Sequence, residues 1–241
     1  MKKLLIMTIV LVLSFSGITL AQTYNYSLEG GFLYTTIDPD NVNDLINEAN
    51  REYQAEVDFY NNNYDVNMDY NKFDEFDKAT GFWVGLHNDL GDYILGTNYE
   101  SFSEEIEGSL KVSDVNSDDY LRASDSIEIE VDGIYINIEK PLNENFAISA
   151  GVGSYSGEIK LKSYAEEYFG GVRETYSNTE SEDLDRDVGF KIGISSNYNL
   201  SENLSFLGKL NYRILELDIE NSSESIDFDG IELKAGLTYK F

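Results

Sequence analysis

Apolar and polar residues alternate along most of this chain, and alternation is the signature of strands with one apolar and one polar face. The last stretch is the clearest. Ile231, Leu233, Ala235, Leu237, Tyr239 and Phe241 fall on one face, with Glu232, Lys234, Gly236, Thr238 and Lys240 on the other. Eleven residues are enough to cross a bilayer when a strand is tilted by about 45°. Seven more alternating segments precede it, near 23–37, 80–88, 93–103, 126–139, from 146, 188–199 and 204–214. In the fourth, Ile127, Ile129 and Val131 change parity to Ile134, Ile136 and Ile138, which predicts a bulge at Asp132-Gly133.

The connections are unequal. Short turns at Asn88–Asp92, Lys140–Asn145 and Leu200–Asn203 join strands two to three, four to five and six to seven. The other connections, about 38–79, 103–125, 162–187 and 219–229, are mostly longer and read as loops. Within the first, Val42, Leu45, Ile46, Ala49 and Tyr53 recur at helical spacing behind Asp40, which is placed as an N-cap. A helix over about 41–58 is predicted, either capping a barrel mouth or docking a partner, or packing on its own loop. The two prolines, Pro39 and Pro141, avoid strand interiors.

Residues 1–21 have the pattern of a secretory signal peptide. Lys2 and Lys3 precede an apolar run from Leu4 to Phe15, and Thr19-Leu20-Ala21 places cleavage before Gln22. Residues 22–241 then form one domain. Export, an even number of amphipathic strands, the short-turn and long-loop asymmetry, and an ending on Phe241 with Leu237 and Tyr239 at alternate positions together resemble the small eight-stranded bacterial outer-membrane β-barrels (OmpA/OmpX-like). The resemblance covers 22–241 and implies an all-β fold: an eight-stranded antiparallel up-and-down transmembrane β-barrel with an extracellular loop helix. It also implies that Leu237, Tyr239 and Phe241 are read by the barrel-assembly machinery, and that the partner of the outer face is outer-membrane lipid. The protein is expected to be a monomer. The competing architecture is an exported β-sandwich. Tyrosines near both ends of the apolar stripes (Tyr24, Tyr93, Tyr198, Tyr212, Tyr239) favour the barrel, whose interfaces are girdled by aromatics.

Composition narrows the function. With 45 acidic and 17 basic residues the net charge is −28, which argues against nucleic acid. There is no cysteine and one histidine, so thiolate or multi-histidine sites are excluded. Aromatics at 13% exclude a disordered chain. Most of the negative charge lies in the four long connections, as an anionic crown suited to diffuse divalent cations. Asp65-Val66-Asn67-Met68-Asp69 begins like a calcium loop, then fails at Tyr70 and Phe76. His87, at the end of strand two, reads as a rim residue with no serine partner, so no catalytic, cofactor or metal site is expected.

Inward positions carry Glu29, Glu100, Lys191, Lys209, Arg213, Glu232 and Lys234. An eight-stranded barrel is narrow enough for side chains to fill it, and charges there must pair. The expected function is a structural or surface-interaction protein of the bacterial outer membrane with a plugged interior. The alternative is a narrow cation-preferring, porin-like channel through a rearranging cluster.

Overall fold

The computed structural model describes residues 25–37, 39–220, 222 and 224–241. The signal-peptide residues 1–21 and Tyr24 lie outside them. In chain order the elements are β1 (Asn25–Thr36), α1 (Asp40–Asn63), β2 (Val66–Asn71), β3 (Lys78–Asp89), β4 (Ile94–Asp114), β5 (Tyr120–Pro141), β6 (Phe146–Phe169), β7 (Val172–Asn199), β8 (Leu204–Ile214), β9 (Glu216–Asp218), β10 (Ser225–Asp227) and β11 (Gly230–Lys240).

Eight of the strands close a ring. Each pairs antiparallel with its neighbours in the order β1, β3, β4, β5, β6, β7, β8, β11, and β11 returns to β1 with Leu28 opposite Tyr239. Closure leaves no sheet edge in the ring, and it rules out the two-sheet sandwich. At one end the strands are joined by tight turns. In the first, Gly91 takes φ 91° while its N–H donates to Asp89 Oδ1 at 2.8 Å. At the other end β4, β5, β6 and β7 run far beyond the ring as two long hairpins, and β2 adds to β4.

The hairpins correct the reading of 103–125 and 162–187 as loops, because strand occupies most of both segments. On β4 the alternation is aliphatic with polar (Ile106, Leu110 and Val112 against Glu105, Glu107 and Lys111), whereas over 162–187 on β6 and β7 it is of polar with small or aromatic residues and carries little hydrophobic contrast. Cross-strand pairs stabilise it instead. Tyr120 stacks on Tyr168 with centroids 5.7 Å apart, and Lys162 Nζ lies 2.9 Å from Glu105 and 3.0 Å from Glu128. Gly170 and Gly171, at φ 56° and 87°, make the turn between β6 and β7. The bridging lysine holds the Glu105 carboxyl below the usual carboxylate range, with Ser126 helping. Because that value is depressed, the contribution is present above the unfolded glutamate value of about 4.3 and is lost as pH falls through the folded value. Acidification below about pH 4 should therefore loosen the hairpins, and Lys162→Met should do so at neutral pH. Amide exchange over 120–128 and 160–168 would read both; unchanged protection in Lys162→Met would exclude this role.

The expected bulge at Asp132-Gly133 is absent: β5 pairs in continuous register with β4 and β6. A register shift falls instead between Tyr155 and Gly157, where β6 meets β7. The change of apolar parity has another cause. Ile134, Ile136 and Ile138 point outward and are about half exposed, whereas Ile129 and Val131 point inward and are buried. One regular strand thus passes from a zone that is apolar outside to a zone that is apolar inside. That inner apolar zone closes the hairpin end of the barrel with Phe102, Val131, Leu217, Ile226 and Phe228.

The helix also differs in detail. It is longer than 41–58, its N-cap is Pro39 without a side-chain cap bond, and Asp40 lies inside the first turn. A carboxylate there still favours the helix dipole. Only part of the apolar stripe is buried: Ile46 is, while Leu45 is 62% exposed. The helix is docked mainly by amides on one face. Asn43 exchanges hydrogen bonds with the backbone of Phe76 (2.8 and 2.9 Å), and Asn61 does so with Met68 (2.7 and 2.9 Å). Between them Asn50 accepts from the Phe73 N–H and the Tyr70 hydroxyl.

Candidate functional site: the charged barrel interior

Period-two geometry sends alternate side chains of every ring strand into the lumen. The structure places Glu29, Glu100, Lys191, Lys209, Arg213, Glu232 and Lys234 there, all buried. They form two layers. Midway along the barrel, Lys191 contacts both Glu100 and Glu232. Lys234 lies 2.7 Å from Glu100 and 3.0 Å from Glu232, and Arg213 lies 3.8 Å from Glu232. Arg213 also donates through Nε and Nη2 to the Phe228 carbonyl, at 3.0 and 2.8 Å, which ties this layer to the apolar plug.

Nearer the tight turns, Lys209 sits between two carboxylates, 2.8 Å from Glu29 and 2.7 Å from Glu139. Glu139 escaped the sequence analysis, although its parity opposite Ile138 marks it as inward. His87 belongs to this layer too. It is 1% exposed, so it lines the interior and is not the rim residue that was expected. Its Nε2 lies 3.3 Å from Glu29 and 3.1 Å from Asn98 Oδ1, and its Nδ1 lies 3.9 Å from Glu139. Inward glycines make room for the ring: a Cβ at Gly96 would meet His87 Cε1 at 2.7 Å. The signal for this in the sequence is the pair Gly85 and Gly96, inward on the strand of His87 and on its neighbour β4, where Gly96 lies opposite His87.

Every buried cation also faces an aromatic ring. Trp83 lies between the layers, with Lys209 at 5.3 Å and Lys234 at 5.4 Å from its centroid. Tyr135 receives Lys191 at 4.7 Å and Lys234 at 4.8 Å, and Phe102 receives Arg213 at 4.2 Å. Such contacts strengthen when water is excluded. Tyr155 fills the space above Gly133, where a Cβ would stand 2.1 Å from the ring. These inward aromatics were invisible to a reading that assigned aromatics to the outer face.

The chemistry available to this lumen is limited. Four carboxylates (Glu29, Glu100, Glu139, Glu232) meet four basic side chains (Lys191, Lys209, Lys234, Arg213), so the formal charges balance with His87 counted as neutral. Glu29, His87 and Glu139 offer ligand atoms within 4.8 Å of one another, a spacing suited to a metal ion. The Lys209 ammonium already lies between the two carboxylates, so an entering cation would have to displace it. Ser195 Oγ contacts Glu139 at 3.4 Å, and no serine–histidine hydrogen bond occurs among the described residues. The stretch Asp65–Asp69 runs into strand β2 and does not make a calcium-binding loop.

The outer face is the inverse of the lumen. Phe32, Phe82, Ile134, Ile192, Phe206 and Ile231 stand outward with exposures of 47% to 81%. On β8 the outward apolar residues run from Phe206 to Ile214, which at about 3.3 Å per residue and a tilt of about 40° makes a belt roughly 20 Å tall. Among the described residues no helix is long and apolar enough to cross a membrane. A closed ring that is apolar outside and charged inside is an eight-stranded, antiparallel, up-and-down transmembrane β-barrel. Neither a family model nor a curated protein sequence matches the chain. The solved structures it is similar to include Ail, the attachment invasion locus protein of Yersinia pestis, at 14% identity and a TM-score of 0.41, covering 90% of this chain and 99% of that one. Neisserial surface protein A is similar at 10% identity and a TM-score of 0.40, covering 90% and 97%. The outer membrane protein AlkL is similar at 11% identity and a TM-score of 0.33, covering 90% of each.

Proposed function

We propose that this protein is a non-enzymatic barrel of the bacterial outer membrane with a structural or surface-interaction role. The observation that carries this reading is a lumen blocked twice in series. Glu100, Arg213 and Glu232 are fully buried in the mid-barrel layer, and Val131, Leu217, Ile226 and Phe228 are fully buried above it. A conducting path would have to break both. In this reading the tight turns face the periplasm, and the hairpins with α1 face outward as an acidic platform that holds divalent cations diffusely. The protein is exported by residues 1–21, delivered to the assembly machinery through Leu237, Tyr239 and Phe241, and works as a monomer.

Planar-bilayer recording tests the blocked lumen. The refolded protein should give no discrete openings, in potassium chloride or in calcium chloride. Regular cation-selective steps would establish the channel instead. The surface role is tested by deleting 38–79: attachment of whole cells to a surface should fall while the barrel still assembles.

A further inference from the structure

The outer face of the barrel carries two adjoining hollows that together make a groove, and their position is set by strand register. Lys140 on β5 pairs with Ile148 on β6, Ile148 with Ile194 on β7, Ile194 with Leu210 on β8, and Leu210 with Leu233 on β11. A parallel row lies one outward position further from the tight turns. It runs from Ile138 through Ala150 to Ile192, Tyr212 and Ile231. Between the rows lies an apolar trough of about 510 Å³, floored by Ser149, Gly193 and Asn211. A second hollow of about 180 Å³ shares Ile148 and Ser149 with it and ends at Lys140 and Tyr93. Ala150 is the small residue that leaves this second hollow open.

The direction of the groove matters. Lys140 stands next to Pro141 at the tight-turn end of β5, and Ile148 is near the start of β6. Ile194, Leu210 and Leu233 lie progressively deeper along their strands. The row therefore climbs from the rim to the middle of the belt. Four strand spacings of about 4.8 Å give it a length of roughly 19 Å. At its foot Lys140 is exposed, stands over the Tyr93 ring at 5.7 Å, and has no carboxylate partner among the described residues. In a chain of net charge −28, an unpaired cation at the interface beside an apolar trough is a charge-selective feature.

We propose that this groove binds one anionic glycerophospholipid of the inner leaflet, its phosphate on Lys140 and one acyl chain along the trough toward Leu233. The site rests on the membrane reading above. It adds headgroup selectivity: an interfacial lysine attracts a net-anionic headgroup more than a zwitterionic one. The occupant is a lipid and not a second copy, because the two rows stand two residues, about 6.6 Å, apart along the strands, room for one hydrocarbon chain, and the exposed Lys140 at the foot complements a single anionic headgroup.

The test uses the full-length mature chain refolded in detergent, with folding checked by heat-modifiable gel migration, and then exposed to equal amounts of phosphatidylglycerol and phosphatidylcholine. Native mass spectrometry should find one retained phosphatidylglycerol per barrel, at least fivefold over phosphatidylcholine. Lys140→Gln should bring the two to parity, and Ala150→Phe, which fills the lower hollow, should remove both. Equal retention of the two lipids by the wild type, undiminished selectivity in Lys140→Gln, or a dimer in place of a lipid adduct would each overturn the proposal. A barrel that folds and inserts into vesicles but shows no selective adduct overturns the lipid site alone. One that never inserts overturns the membrane reading itself.

Discussion

Replacing Glu232 by alanine is expected to destabilise the barrel by about 3–5 kcal/mol, the usual cost of breaking a buried ion pair from one side. Glu232 is fully buried and is shared by Lys191, Lys234 and Arg213, and it accepts from Asn211 Nδ2 at 2.8 Å. Its loss leaves three cations to Glu100 alone, in a buried space where solvent screening is weak. Guanidinium unfolding in lipid vesicles, followed by the gel shift between folded and unfolded forms, measures the change. The double variant Glu232→Gln/Lys234→Met restores the charge balance and should recover more than half of it. If the double variant were as unstable as the single one, shape and not charge would govern this layer.

On the other face the sign of the chemistry reverses. Ile192→Arg puts a charge at the middle of the outward belt and should cost about 2–4 kcal/mol. Tyr176→Arg, on the hairpin portion of the same strand β7, should stay within about 0.5 kcal/mol, as an exposed surface change does. Both side chains are more than half exposed, at 63% and 55%, so burial within the protein cannot separate them. Only a bilayer around Ile192 can. The comparison is made by the same vesicle unfolding assay; equal costs at the two positions would mean that no membrane surrounds the belt.

Strand parity was the most legible property of the sequence. Alternation around Ile192, Tyr212 and Leu233 located the ring strands, and the same alternation placed Lys191, Arg213, Glu232 and Lys234 inside. What alternation cannot give is the solvent on each side. Ile129 and Ile134 belong to one unbroken strand, yet one faces a protein core and the other faces outward, so a change of environment mimicked a bulge. The hairpins were missed for a related reason: where both faces meet water, as in Val172–Asp183, hydrophobic contrast vanishes and only turn chemistry and cross-strand pairs remain. The docking face of α1 was hidden because Asn43, Asn50 and Asn61 bind backbone, a role that apolar spacing does not report. His87 was misplaced by distance from a turn, when the inward glycines beside it were the better guide.

Oxygen accessibility of spin labels along β7 in lipid vesicles tests the inverted barrel most directly, and the absence of cysteine makes single-cysteine scanning clean. Labels at 188, 190, 192 and 194 should be accessible to oxygen and shielded from water-soluble relaxants, and labels at 191 and 195 should be reached by neither. Labels at 172–183 should be open to the water-soluble relaxant throughout. Water access at 190, 192 and 194 equal to that at 172–183 would contradict a membrane-spanning barrel.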